Sequence, residues 1–335
     1  MKRIPLSELK RIYEALKSYG SVWVRKKNAY ETAETPEELL STVSKVKKPA
    51  KFIFLPEEEP LLAFVQDGKN VTFQEVIREA KGVIFGIPPC EAKAISLLDL
   101  NFLQGEGEDI YYKKRRENVL LFGLACLAPD SRCFCTTFGY GPFTESFTDI
   151  FGVVVDDVLL FEGITEKGKD LVKNLDVEDA KGEELKKLEA MKKEITERVK
   201  KLDIQGIQEK LARMMDSEIW DRISSSCLGC GACTYYCPTC YCFDIQDVER
   251  PNWGYRLRTW DSCMFTLYTL EGSGHNPRPE LKYRWRNRLM HKFNYYPVLY
   301  QEFGCVGCGR CIEVCPVNID IREILMEVKN EPIRA

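Results

Sequence analysis

Two stretches of this 335-residue chain carry the same cysteine spacing. The run CLGCGACTYYCP places Cys227, Cys230, Cys233 and Cys237 at C-x2-C-x2-C-x3-C-P. The run CVGCGRCIEVCP repeats it with Cys305, Cys308, Cys311 and Cys315. Such density leaves the backbone few choices. Three thiols on a tight loop face one centre, and the fourth, beyond a short helical turn, points towards another. The closing proline turns the chain away. Gly229, Gly231, Gly307 and Gly309 clear side chains from places where backbone N–H groups must approach sulfur.

This is the bacterial ferredoxin spacing for a pair of [4Fe–4S] cubanes, in which the fourth cysteine of each run serves the other cube. The first cube is therefore assigned to Cys227, Cys230, Cys233 and Cys315. The second is assigned to Cys305, Cys308, Cys311 and Cys237. Zinc also takes four thiolates, but usually from two separated C-x2-C pairs.

Residues 238–304 form an insertion between the runs that small ferredoxins lack. It is dense in Arg278, Lys282, Arg284, Arg286, Arg288 and Lys292. Those cations suit a docking surface for an acidic partner, a positive field that raises cluster potentials, or a plain solvated helix. Cys240, Cys242 and Cys263 are left over. They fit a further metal, or the small apolar role of buried free cysteine.

Fifteen cysteines stand against two histidines, His275 and His291. Their clustering suggests metal rather than a disulfide framework. A net charge of -3 argues against nucleic acid as the main partner. The N-terminus reads as an amphipathic helix with Leu6, Leu9, Ile12, Tyr13 and Leu16 on one face, not as a signal peptide. No apolar run approaches a membrane span, so the expected location is cytoplasmic.

The expected fold is an α/β domain with a mixed sheet, followed by an α-rich ferredoxin-like domain with two [4Fe–4S] clusters and the large insertion. Strands are expected at 21–24, 51–55, 61–65, 82–87, 118–126 and 151–161, with a helix opening at Cys90. The charged segment 165–217 reads as a bridge between domains or as the last solvated helix of the first. The domains are placed at 1–204 and 205–335.

Cys90, Cys126, Cys133 and Cys135 remain. Cys90 follows the apolar stretch GVIFGI, and Cys126 follows NVLLFGLA. If those strands are parallel neighbours, both thiols emerge at the carboxyl edge of the sheet, where open α/β sheets bind ligands. The loop APDSRCFC supplies the other two. A third cubane, a structural zinc and four unrelated thiols all remain open on pattern alone.

The segments GIPPCEAKAISLLDLNFL, YYKKRRENVLLFGLACLAPDSRCFC, CLGCGACTYYCPTCYCFDIQD, RTWDSCMF, GHNPRP, RWRNRLMHK and CVGCGRCIEVCP together carry a resemblance. The chain resembles the β (iron–sulfur) subunit of cytoplasmic sulfhydrogenases, related to the A subunit of anaerobic sulfite reductase. It is also similar to the iron–sulfur subunit of flavin oxidoreductases that feed heterodisulfide-reductase-like complexes. The resemblance runs from about residue 50 to the end. It implies a relay subunit of a multisubunit, anaerobic oxidoreductase. An NAD(P)H-binding flavoprotein subunit would supply electrons, and a hydrogenase, sulfite reductase or heterodisulfide-reductase-like subunit would exchange them. It also implies a third [4Fe–4S] cluster at Cys90, Cys126, Cys133 and Cys135.

The chain itself carries no G-x-G-x-x-G after a strand, which fits flavin and nucleotide sitting on a partner. A relay subunit is not expected to turn over alone. The alternative is a self-contained iron–sulfur reductase with a substrate site near the N-terminal cluster and Cys240, Cys242 and Cys263 as redox thiols. A zinc-stapled scaffold is a third reading, which colour alone would separate.

Overall fold

The computed structural model describes residues 1–43, 45–104 and 107–332. Its strands are β1 (Lys2–Pro5), β2 (Ser21–Lys26), β3 (Ala29–Thr32), β4 (Glu58–Asp67), β5 (Asn70–Glu75) and β6 (Gly82–Ile87). They continue with β7 (Val119–Leu124), β8 (Ile150–Val155), β9 (Val158–Gly163), β10 (Glu178–Asp179), β11 (Phe243–Arg250) and β12 (Trp253–Trp260).

The chain forms two compact units. The first comprises Met1–Phe54, Glu79–Lys201 and Val306–Cys308; the second comprises Leu55–Arg78, Leu202–Cys305 and Gly309–Ala335. This is not the simple division expected at 204/205. Residues 55–78 join the second unit because β4 pairs with β12, from Glu58↔Thr259 to Val65↔Trp253. The short 306–308 segment joins the first, where the Phe134 N–H donates to the Gly307 carbonyl at 2.8 Å.

In the first unit the sheet order is β10-β1-β9-β8-β7-β6-β2-β3. Strands β2, β6, β7 and β8 run parallel, and the flanking pairs are antiparallel, so the sheet is mixed. Every residue of β6 and β7 is buried. Burial on both faces is why these strands read as unbroken apolar runs.

Four expectations need correction. Residues 51–54 are a helical turn, and 61–65 belong to β4 of the second unit. Residues 151–161 are two strands, because Asp156 turns the chain at φ 52° between β8 and β9. The first helix is Leu9–Tyr19; it buries Leu9, Ile12, Tyr13 and Leu16, while Leu6 sits in the turn before it. The charged helix Gly182–Glu197 belongs to the first unit and buries only Leu188 and Ile195, as a solvated helix does.

The second unit is less purely helical than expected. The insertion folds first into the β11–β12 hairpin, which β4 and β5 extend into an antiparallel sheet of order β11-β12-β4-β5. A buried ion pair, Arg258 with Glu59, ties β12 to β4. The helix Leu281–Met290 then runs into a π-turn, His291–Tyr295. Among the described residues no helix is long and apolar enough to cross a membrane.

Candidate metal centres

The two cysteine runs adopt the same local form. In the first, Gly229 and Gly231 hold φ of 67° and 73°; in the second, Gly307 and Gly309 hold 59° and 74°. Gly231 and Gly309 each cap a four-residue helix, Ala232–Tyr235 and Arg310–Glu313. A side chain at Gly231 would also meet the Phe265 ring at 2.6 Å, so glycine is required there twice over.

Backbone donors already turn to the thiols. The Gly229 N–H lies 3.3 Å from Cys227 Sγ, and the Ile319 N–H lies 3.2 Å from Cys315 Sγ. Cys227, Cys230, Cys233 and Cys315, the set assigned to the first cube, line one cavity, with Cys311 also on its wall. Burial pushes the Cys233 thiol up, the penalty for a charge held away from water.

Two other wall residues test whether an anionic, sulfur-rich group fits this cavity. Among the described residues, Trp285 Nε1 and Arg288 Nε are buried with no hydrogen-bond partner. Buried donors are normally satisfied. A [4Fe–4S] cube held by these cysteines would supply sulfur acceptors and negative charge, so the donor set fits it.

Sequence reasoning did not single out Arg288 and Lys292 within the basic run. They recur with Arg284 at four-residue spacing, the signal of one helix face. That face is buried, not solvated. Lys292 Nζ stands 3.5 Å from Cys237 Sγ and donates to Thr239 Oγ1 at 2.9 Å and the Gly304 carbonyl at 2.8 Å. Burial opposes its charge, but the thiols of Cys237, Cys240 and Cys305 outweigh that and raise its pKa. Cys237, Cys305 and Cys311 belong to the second unit, whereas Cys308 falls in the segment grouped with the first.

In the first unit, β6 and β7 are parallel neighbours. Cys90 sits in the opening turn of the helix Pro89–Phe102, and Cys126 follows β7. With Cys133 they line one cavity of about 190 Å³. Cys135 is buried and is not on that wall; Cys308 is, along with Lys45 and Arg25. Lys45 Nζ donates to the Cys308 carbonyl at 2.5 Å. Burial raises the thiols of Cys126 and Cys133, and pushes Cys135 up to about 12. Nothing in the sequence pattern pointed to Lys45 or Arg25, which lie far away along the chain.

The thiol loops are those of an iron–sulfur protein, and the family described as a 4Fe-4S dicluster domain matches residues 226–319. Sulfhydrogenase 2 subunit beta of Pyrococcus furiosus is 33% identical over 324 residues, covering 95% of this chain and 94% of that one. The chain belongs to the family of sulfhydrogenase β subunits, the iron–sulfur subunits of sulfhydrogenase-like complexes. No solved structure matches it.

Proposed function

We propose that this chain is the electron relay of a multisubunit oxidoreductase. It would carry single electrons between an NAD(P)H-linked flavoprotein subunit and a hydrogenase, sulfite reductase or heterodisulfide-reductase-like subunit. The observation that carries this reading is the pair of unpartnered buried donors, Trp285 Nε1 and Arg288 Nε, on the wall shared by the cysteines assigned to the first cube. A [4Fe–4S] cube supplies reversible one-electron chemistry, and its potential follows hydrogen bonding and burial. The chain's own residues then do the rest. Cys227, Cys230, Cys233 and Cys315 hold one cube; Cys305, Cys308, Cys311 and Cys237 hold the other. Arg288 and Lys292 offset the thiolate charge.

A third cube is assigned to Cys90, Cys126, Cys133 and Cys135. The shared cavity of the first three, with Lys45 and Arg25 beside them, supports it. The test is iron and acid-labile sulfide per chain purified without oxygen, with EPR of the reduced sample. Three cubes give about twelve irons and the ferredoxin pair alone about eight. Cys90→Ser should lower the count by about four and leave the signals of the pair. A count unchanged by that substitution removes the third cube from the relay. Absence of iron from the wild-type chain removes the relay itself.

A further inference from the structure

The hairpin of the insertion brings together two cysteines that the cluster assignments leave unused. Cys242 immediately precedes β11, and Cys263 lies three residues past β12. The strands close with Phe243 opposite Trp260, and the Asp261 N–H donates to the Cys242 carbonyl at 3.0 Å. The turn after β12 is itself fixed. The Ser262 N–H donates to Asp261 Oδ1 at 2.6 Å, and the Met264 N–H donates to Ser262 Oγ at 3.1 Å. Cys242 and Cys263 thus come together at the open end of the hairpin, on the wall of one cavity.

The pair opens on a cavity of about 370 Å³ whose wall includes Cys240, Tyr268, Arg278, Arg288 and Lys292. The hydrogen bond from Cys263, with a further one from Tyr268, lowers the pKa of Cys242; the same contact raises that of Cys263. One thiol is therefore poised as the attacking thiolate and the other as the proton-bearing partner.

We propose that Cys242 and Cys263 form a reversible dithiol–disulfide couple that exchanges an electron pair with the iron–sulfur relay of this chain. On oxidation both S–H bonds break and one Sγ–Sγ bond forms. Two protons leave through the cavity, and two electrons pass in successive single transfers to the [4Fe–4S] clusters. Reduction reverses each step. The electron partner rests on the relay reading above; the couple itself rests on the hairpin geometry. Such a couple gives a one-electron wire a place to hold a pair.

The test uses the full chain, purified without oxygen and poised in mixtures of oxidised and reduced dithiothreitol. The sample is then alkylated and mapped by mass spectrometry, with iron counted in parallel. A peptide linked through Cys242 and Cys263 is expected. Its ratio to the free peptides should rise tenfold for each tenfold rise in the oxidant-to-reductant ratio, as two-electron exchange requires. Cys263→Ser and Cys242→Ser should each abolish the link and keep the iron count and cluster EPR of the wild type. No linked peptide at any poise overturns the couple. So does loss of about four irons in either variant, which would make these thiols cluster ligands. A wild-type chain without iron would fail the relay reading instead, and the linked peptide would still report on the couple.

Discussion

Lys292 is held where an ordinary lysine would not stay. Its ammonium is buried, 3.5 Å from Cys237 Sγ, and donates to Thr239 and to Gly304. A buried cation survives when anionic neighbours repay its desolvation. Beside a cluster, the same charge favours the reduced, more negative state. Lys292→Met should therefore lower the midpoint potential of the cluster assigned to Cys237. A unit charge about 7 Å away at an effective dielectric near 20 is worth about 2 kcal/mol, on the order of 80 mV for one electron. An EPR-monitored redox titration measures it. Thr239 Oγ1 also donates to the Gly304 carbonyl at 2.8 Å, so the substitution does not strand that acceptor. A potential that stays put, with iron content unchanged, would show that the charge of Lys292 is neutralised by other means.

At the scale of elements, the insertion is the part that was hardest to read. The doubled cysteine spacing was legible because its geometry is local: glycine at positive φ, a four-residue helix and a proline repeat within each run. The strands β6 and β7, with a thiol after each, were legible from unbroken apolar runs, while their parallel pairing was a condition that only the structure meets. The role of β4 was not. Its residues resemble any half-buried strand, and its partner β12 lies almost two hundred positions later. The buried basic face of the helix Leu281–Met290 was hidden for a related reason, since a stripe of arginine reads as solvated until the thiols it faces are known.

The join between β4 and β12 can be tested directly. Glu59 is fully buried against Arg258. Glu59→Leu would leave a buried guanidinium without its carboxylate, at a cost of about 3–5 kcal/mol. Hydrogen exchange should accelerate on the order of a hundredfold or more across 58–67 and 253–260, while the strands β6 to β8 keep their protection. Uniform acceleration through both units would mean that the two sheets open together.

For the whole molecule, the two units depend on metal to different degrees. The first buries a large apolar core, including Ile12, Leu16, Val22, Phe85, Phe122 and Phe161, and its sheet needs no cofactor to pack. The second gathers buried Arg288, Arg310 and Lys292 among cysteine loops with short helices. Without the cluster charge those cations lose part of what offsets their burial. Binding free energy of metal is then folding free energy for that unit. Removing iron with an oxidant and a chelator should expose amides of 226–240, 284–296 and 304–319 to rapid exchange. Amides of β6, β7, β8 and β9 should remain slow. Tryptophan emission should shift to the red at the same time, because Trp220, Trp260 and Trp285 all lie in the second unit. If iron removal instead melts both units in one transition, the first is not stable on its own core. If it melts neither, the cysteine loops are held by packing alone, and the buried cations owe their place to the protein rather than to the metal.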